Sequence, residues 1–497
     1  MSLATRFTPI LVVLATACAT GRTATVTPVA RSMAQIIDSI ADAPPMQHTT
    51  WGIQVLDQQS GRMLYERNGD RHYIPASNTK LVVTTVAMGT LGPDYRYRTP
   101  VHAAPTAQTG VASMLLVTGS GDPTMSARFW QQPFAAIAAF ADSIYAAGIR
   151  QVDGPLIVDA SRFTDAPING TWEVGDLPGG SAPPVGALSM EESIFRIILV
   201  PGATPGEPVT AVFPEWPVGA TGGQPISLAN VRTVDASARG SISIDFLSRR
   251  DTIFMTGTVP VGKPDTSSYS ITDPPFYTGR AIVAALEARG VHVRDGVTVL
   301  RDSASAAAAH ATATQQIALM VSPNMADIVS AILHPSQNWI AETVLKTVGA
   351  EKGTGGSWRG GLAAERIYLM QNVGLDSLDF NLRDASGMAP QNLLSPHAIV
   401  RIYEHTRTAP WGAQFRAGLA APGEPGTLNA RLTEYKGRLR GKTGTISNVA
   451  TLSGFLVTDQ GREVTFSIMT NGTGLSSATV RRAVDEIVRT IARATPR

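Results

Sequence analysis

The stretch Ser77-Asn78-Thr79-Lys80 constrains this chain more than any other part of its sequence. Ile74-Pro75 before it disfavours a helix interior, whereas the apolar run from Leu81 to Met88 after it favours a helix. We therefore expect a helix to begin close to Ser77. Residues three apart on a helix share a face, with Cβ atoms roughly 5–6 Å apart, so the Lys80 amine should reach the Ser77 hydroxyl. The helix start adds free N–H groups and a positive dipole, and together these groups indicate an acyl-transfer site.

Two further motifs follow in order, and they matter because Ser-x-x-Lys alone also occurs by chance. Ser336-Gln337-Asn338 lies between two predicted helices, where polar side chains can point into a cleft. Lys442-Thr443-Gly444-Thr445 begins a predicted strand. The candidate catalytic residues are Ser77, Lys80, Ser336 and Asn338, and the candidate substrate-binding residues are Lys442, Thr443, Gly444 and Thr445.

The sequence lacks the signatures of other hydrolase classes and of nucleic-acid-binding proteins. The eight histidines contain no His-Glu-x-x-His pair of a metallopeptidase, and the chain has no Gly-x-Ser-x-Gly elbow of a Ser-His-Asp hydrolase. The net charge of +2 gives no argument for nucleic acid as a partner. The sequence therefore predicts neither a metal nor a cofactor.

The N-terminus predicts export. Arg6 precedes a short apolar stretch from Pro9 to Ala17 that cannot span a bilayer, so residues 1–19 are interpreted as a signal peptide and 20–33 as a linker. Cys18 is the only cysteine of the chain. It follows small residues as in a bacterial lipoprotein box, although Ala15 stands where leucine is usual. Lipidation at Cys18 is the favoured interpretation, and ordinary cleavage after Ala19 is the alternative.

The order of predicted elements indicates an α+β domain that is split by an insertion. Two strands before Ser77 and at least three from Lys442 onward should form one antiparallel sheet with helices on both faces. Residues 34–97 and 273–497 are assigned to this domain, and 98–272 to an inserted, mostly β region. Because the ends of an inserted domain usually lie close together, replacement of 100–270 by a short linker is expected to leave the catalytic site intact. Ser322-Pro323 is expected to cap the helix before Ser336.

The three motifs together resemble the class C low-molecular-mass penicillin-binding proteins, the D-alanyl-D-alanine carboxypeptidase/endopeptidase family. The likeness covers roughly residues 35 to 493. Gln337 stands where that family often has aspartate, and Ala385 and Met388-Ala389 depart from its Asp-Gly-Ser-Gly-Leu-Ser pattern. Further stretches that look like landmarks of the family are Pro75–Lys80, Gly121–Pro123, Gly154–Asp159, Ala187–Ser189, Asn338–Glu342, Asp384–Met388, Gly426–Leu428 and Gly441–Thr445.

The resemblance implies a penicillin-binding transpeptidase fold in the periplasm or elsewhere outside the cytoplasm. It implies that Ser77 attacks the D-Ala-D-Ala bond of peptidoglycan stem peptides and forms an acyl-enzyme, and that β-lactams acylate the same serine. Lys80 would be the base, provided that its pKa of about 10.4 falls by about 3 units, with Lys442 as the cation that helps to lower it. Two alternatives stay open: a serine β-lactamase or esterase of the same fold, and a catalytically silent cell-wall-binding lipoprotein.

Overall fold

A computed structural model describes residues 31–177, 179–212, 226–245 and 253–494. The predicted signal peptide, Cys18 and most of the predicted linker lie outside the described residues. Within those ranges, no helix is both long and apolar enough to cross a membrane.

The strands are numbered in chain order. They are β1 Thr50–Asp57, β2 Met63–Arg67, β3 Arg98–Pro105, β4 Val111–Thr118, β5 Gln151–Val152, β6 Leu156–Asp159, β7 Ile194–Val200, β8 Thr210–Val212, β9 Ile226–Val234, β10 Ser241–Asp245, β11 Ile253–Pro260, β12 Asp265–Ser270, β13 His292–Val293, β14 Val297–Leu300, β15 Gln315–Val321, β16 Phe380–Asn381, β17 Leu393–Leu394, β18 Leu439–Ile446, β19 Val449–Val457 and β20 Glu463–Asn471.

The α-helices are numbered in the same way. They are α1 Met33–Ala41, α2 Lys80–Thr90, α3 Ala127–Trp130, α4 Ala135–Ala146, α5 Pro274–Glu287, α6 Ser303–Thr312, α7 Met325–Leu333, α8 Asn338–Lys352, α9 Trp358–Tyr368, α10 Pro396–Thr408, α11 Gly412–Gly418 and α12 Ser477–Arg493.

The two ends of the chain build one five-stranded antiparallel sheet in the order β18-β19-β20-β1-β2. Its strands β1, β19 and β20 are buried along almost their whole length, because helices cover both faces. On one face, α1 and α12 bury Ile37, Val484 and Ile487 against Phe466. On the other face, α2 and α10 belong to a larger apolar cluster that continues into α7 and α8. The sheet and its helical layers therefore match the predicted α+β arrangement.

A second sheet forms around β3 and β4. Its order is β13-β5-β4-β3-β15, and β6 pairs with both β4 and β14. Helices α4 and α5 pack on it through Phe140, Ile144 and Ile282. Strands β13, β14 and β15 lie beyond residue 272, so this sheet combines strands from within the predicted insertion and from after it. The division into domains remains a prediction, and these pairings bear on where its second boundary should be drawn.

Helix α7 begins two residues later than the sequence predicts. Asn324 is its N-cap, and the Asn324 side chain accepts a hydrogen bond of 2.9 Å from the backbone N–H of Asp327. The Ser322 hydroxyl instead accepts a 2.9 Å hydrogen bond from the Tyr97 N–H and donates to the Pro323 carbonyl. The predicted cap at Ser322 is wrong because the Tyr97 N–H and the Pro323 carbonyl engage that hydroxyl.

Candidate active site

Ser77 and Lys80 meet at the start of α2. A 3₁₀ turn over Ala76–Thr79 leads into the α-helix, and the Lys80 Nζ atom lies 2.9 Å from the Ser77 Oγ atom. Strand β18 approaches this turn closely: a Cβ atom on Gly444 would lie 2.9 Å from the Pro75 carbonyl oxygen and 3.0 Å from the Ser77 nitrogen. A side chain at position 444 would therefore displace the turn that carries Ser77.

Lys80 is enclosed by three hydrogen-bond partners. Besides Ser77, its Nζ atom donates to Asn338 Oδ1 at 2.7 Å and to the Ser386 carbonyl oxygen at 2.6 Å. Its side chain is fully buried, and burial lowers the pKa of Lys80 to about 7, against the opposing charges of Asp384 and Glu342. Burial, rather than a neighbouring cation, is thus the main cause of the lowered pKa that Lys80 needs in order to act as a base.

Lys442 lies on β18 and is also fully buried. Its Nζ atom donates to the Ser336 Oγ atom at 2.7 Å and to the Thr443 carbonyl oxygen at 2.8 Å. Burial lowers the pKa of Lys442 well below its ordinary value, and the positive charge of Lys80 lowers it further. Two amines that each disfavour the other's charge therefore lie in one cleft.

The segment Ser336-Gln337-Asn338 connects α7 to α8. Ser336 adopts a left-handed backbone with φ of 65°, and Gln337 caps α8 by accepting a 2.7 Å hydrogen bond from the Ile340 N–H. The Asn338 amide group bridges two parts of the chain, since its Oδ1 faces Lys80 while its Nδ2 donates to the Ser181 carbonyl at 2.8 Å. The three sequence motifs therefore converge on one cleft.

The remaining predicted substrate-binding residues lie on the same strand. Thr443, Gly444 and Thr445 pair with Leu452, Thr451 and Ala450 of β19. Thr443 is 7% exposed. Across the ranges that the structure describes, no group of histidine, cysteine or acidic side chains is placed to hold a metal ion.

A buried acid to which the sequence alone assigns no role acts on Lys80 through its charge. Glu342 lies one turn after Asn338 on α8 and accepts hydrogen bonds from the N–H groups of Ala385 and Ser386 and from the Trp358 indole. Burial, reinforced by the charge of Asp384, raises the pKa of Glu342 to about 7. The spacing of Asn338 and Glu342, which places both on one helix face, was the available signal.

Asp384 holds the same loop from within. Its carboxylate accepts hydrogen bonds from the N–H groups of Gly387 and Ala389, from the Asn392 side chain and from the Trp172 indole. Trp172 lies in the region predicted to be an insertion. The loop that presents the Ser386 carbonyl to Lys80 is therefore fixed by groups from separate parts of the chain.

Comparisons with known proteins identify relatives of this chain in sequence and in fold. A family model described as the D-Ala-D-Ala carboxypeptidase 3 (S13) family matches residues 33–494. A D-alanyl-D-alanine carboxypeptidase from Actinomadura sp. (strain R39) is 30% identical over 452 residues, which cover 88% of this chain and 80% of that protein. A crystal structure of penicillin binding protein 4 from Haemophilus influenzae superposes with a TM-score of 0.78 at 20% identity, covering 92% of this chain and 98% of that one. A structure of the same protein complexed with a β-lactam gives a TM-score of 0.73 at 18% identity, with the same coverage.

Proposed function

Since the chain belongs to the D-Ala-D-Ala carboxypeptidase 3 (S13) family and is a serine-type D-alanyl-D-alanine carboxypeptidase, we propose that Ser77 is its nucleophile. The observation that carries this proposal is the 2.9 Å contact between Ser77 Oγ and Lys80 Nζ, in a site where burial lowers the pKa of Lys80 to about 7. A nucleophile within hydrogen-bond reach of a base with a pKa near neutrality is the arrangement that acyl transfer requires.

The reaction proceeds in two steps. Neutral Lys80 takes the proton from the Ser77 hydroxyl while its oxygen attacks the carbonyl carbon of the penultimate D-alanine. The backbone N–H groups of Ser77 and Thr445 stabilise the oxyanion. Ser336 relays the proton held by Lys80 to the amine of the terminal D-alanine as the C–N bond breaks, which returns Lys80 to its neutral form. Water then attacks the ester: its oxygen bonds to the acyl carbon, its proton goes to the Ser77 oxygen, and the shortened peptide leaves.

Lys442 and Thr443 bind the carboxylate of the terminal D-alanine. The Lys442 Nζ atom already donates to Ser336 Oγ at 2.7 Å, so the group that binds the substrate also touches the proposed proton relay. An incoming carboxylate favours the charged form of Lys442, because an opposite charge nearby raises the pKa of an amine. The bound carboxylate therefore keeps Lys442 positively charged, and Lys80 remains the neutral base.

The substrates are stem peptides of peptidoglycan, and cross-linked stem peptides are cleaved by the same acyl-enzyme chemistry. β-Lactams acylate Ser77, as the complex of the Haemophilus influenzae protein with a β-lactam suggests for this fold. The enzyme acts in the periplasm or elsewhere outside the cytoplasm, and Cys18 carries a lipid anchor.

A β-lactamase of the same fold is less well supported. Rapid release of an acyl group needs a base that activates water. The carboxylates around Lys80 are engaged otherwise, because Glu342 and Asp384 accept hydrogen bonds from backbone and indole N–H groups. A catalytically silent protein is disfavoured because the Ser77, Lys80 and Asn338 side chains keep the geometry of a working site.

Mass spectrometry of the penicillin-treated protein tests the nucleophile. The wild-type protein should gain one acyl group on the peptide that contains Ser77, and Ser77→Ala should gain none. Ser143→Ala, which removes a hydroxyl from α4 in the second-sheet region, serves as the control and should be acylated like the wild type. An adduct that persists in Ser77→Ala would overturn the assignment.

A further inference from the structure

Gln337 joins the catalytic cleft to the region predicted to be an insertion. Its Oε1 atom caps α8, and its Nε2 atom donates a 2.6 Å hydrogen bond to Glu192 Oε2. Only one orientation of the amide serves both partners, because the cap needs an oxygen and the carboxylate needs a donor. An aspartate at this position, as the family pattern often has, could cap the helix but could not donate to Glu192.

Glu192 is held in turn by Arg128. The Arg128 Nε atom donates to Glu192 Oε1, and its Nη2 atom donates to Oε2 at 3.0 Å, so one carboxylate oxygen serves both Arg128 and Gln337. The side chain of Glu192 is 10% exposed and that of Arg128 is 33% exposed. Two-point contacts between guanidinium and carboxylate fix geometry as well as charge.

The backbone is left-handed at both ends of this connection. Glu191, Glu192 and Ser193 have φ of 47°, 57° and 57°, and Ser336 has φ of 65°. Such conformations are unfavourable for residues with side chains, and they persist only where the surroundings hold them. The Glu191 carboxylate contributes by accepting hydrogen bonds from the N–H groups of Ala127 and Phe134. Two strained segments therefore meet through the Gln337–Glu192 hydrogen bond.

We propose that Arg128 and Glu192 are positioning residues which act through Gln337 to hold Ser336 and Asn338 for acylation. The proposal rests on the proposed function, because it assigns importance to the placement of Ser336 beside Lys442. It gives the region predicted to be an insertion a direct part in the chemical step: an error of alignment at Ser336 slows proton transfer to the leaving amine more than it weakens substrate binding.

Replacing the donor with an acid tests the connection. Gln337→Glu keeps an oxygen for the helix cap but sets a second carboxylate against Glu192. We expect kcat for a D-Ala-D-Ala peptide to fall by about tenfold, with KM within about twofold of the wild type.

The double variant Gln337→Glu/Glu192→Gln exchanges donor and acceptor and restores this hydrogen bond. The new amide at position 192 keeps an oxygen for Arg128 Nε but gives up the contact with Arg128 Nη2. Its kcat should recover to within about threefold of the wild type. Recovery through a substitution at the partner position would show that the two side chains act through their mutual contact, and the melting temperatures of both variants show whether the fold is intact.

A control variant and a substitute variant make the outcomes distinct. Asp142→Asn removes the ion pair between Asp142 on α4 and Arg289, which follows α5; the pair is remote from Gln337, and its loss should leave kcat unchanged. If Gln337→Glu does not fold, as judged by its melting temperature, Arg128→Met carries the test, with an expected fall in kcat of about threefold at unchanged KM.

Wild-type kcat in Gln337→Glu or, where that variant fails to fold, in Arg128→Met would overturn the proposal. A double variant as slow as the single one would also overturn it. If either result is found and Ser77→Ala also loses the penicillin adduct, the positioning role of Arg128 and Glu192 is overturned while the proposed function is retained. Persistence of that adduct would instead remove the assignment of Ser77.

Discussion

The Glu342 carboxylate accepts a 2.7 Å hydrogen bond from the backbone N–H of Ser386, whose carbonyl oxygen in turn accepts one of 2.6 Å from Lys80. The acid thus helps to fix the residue whose carbonyl holds the proposed base, although it does not touch the lysine through any of these bonds. Its charge also acts on Lys80, because Asp384 and Glu342 both oppose the lowering of the lysine pKa by burial.

Replacement of Glu342 should therefore change both stability and pH dependence. Glu342→Gln removes the charge that raises the pKa of Lys80, so the acid limb of kcat/KM should move to lower pH. It also sets an amide NH2 group against an N–H donor that the carboxylate accepts from, either the Trp358 indole or the Ser386 backbone. This should destabilise the fold by about 2 kcal/mol. Thermal unfolding and a pH–rate profile measure the two effects.

Glu365→Gln is a matched control for that variant. Glu365 is fully buried, and neither of its carboxyl oxygens has a hydrogen-bond partner within the described part of the chain. Burial, with the nearby charges of Glu342 and Asp384, raises its pKa well above the ordinary value, which favours its neutral form. The amide should leave the pH profile unchanged, and an equal shift in both variants would argue against a specific role for Glu342.

The wild-type enzyme should gain activity as pH rises through about 7, because Lys80 accepts a proton only in its neutral form and its pKa is lowered to about 7. Lys80→Arg preserves the positive charge but cannot lose its proton near neutrality. The rate of acylation by penicillin should fall by about 100- to 10,000-fold in that variant. Stopped-flow measurement of acylation from pH 5 to 9 checks both statements, and a wild-type rate that is flat across this range would exclude Lys80 as the base.

The sequence predicted the family, the enzyme class and the α+β fold, and the comparisons confirm all three. Part of the candidate site was predictable from local spacing, because Ser77 and Lys80 share a helical turn. The other two motifs were predictable from their residue types and their order in the chain. Lys80 also depends on the carbonyl of Ser386, and a backbone oxygen carries no signature in sequence. The Gln337–Glu192 contact joins residues 145 positions apart, so neither residue predicts the other.

Lys442 should recognise the carboxylate of the terminal D-alanine. Lys442→Ala should raise KM for a peptide ending in free D-Ala-D-Ala by about tenfold or more, because a charge-assisted contact is lost. The same substitution should have a much smaller effect on KM for a peptide that ends in D-alaninamide, which lacks the carboxylate. Steady-state kinetics with the matched pair of peptides measure the difference. Equal changes in KM for both peptides would contradict carboxylate recognition.

The contacts of the predicted insertion change what its removal should do. Trp172 donates to Asp384, the Ser181 carbonyl accepts from Asn338, and Glu192 accepts from Gln337. Replacement of 100–270 by a Gly/Ser linker would remove all three groups from the cleft. The structure thus leads us to expect loss of penicillin acylation in that variant, contrary to the expectation from sequence.

A smaller replacement should retain the site. Strands β7 and β12 pair antiparallel with Leu199 opposite Asp265, so the chain can be closed between them by a tight turn. Replacing 201–263 with Asn-Gly, together with Pro264→Thr, should join the two strands as a hairpin. The dipeptide favours the type I′ turn of two-residue loops, and threonine supplies the backbone N–H that proline lacks opposite Val200. The variant keeps Trp172, Ser181 and Glu192.

We expect that shortened protein to be acylated by penicillin within about threefold of the wild-type rate, since its cleft contacts are unchanged. It should be less stable, because Val231, Met255 and Val259 no longer pack on the second-sheet core and Ile244 no longer packs on the catalytic core. Melting temperature and acylation rate, measured on both replacements, separate these effects. A folded 201–263 variant that is not acylated would show that the removed strands support the catalytic cleft, and an acylated 100–270 variant would show that the contacts of Trp172, Ser181 and Glu192 are dispensable.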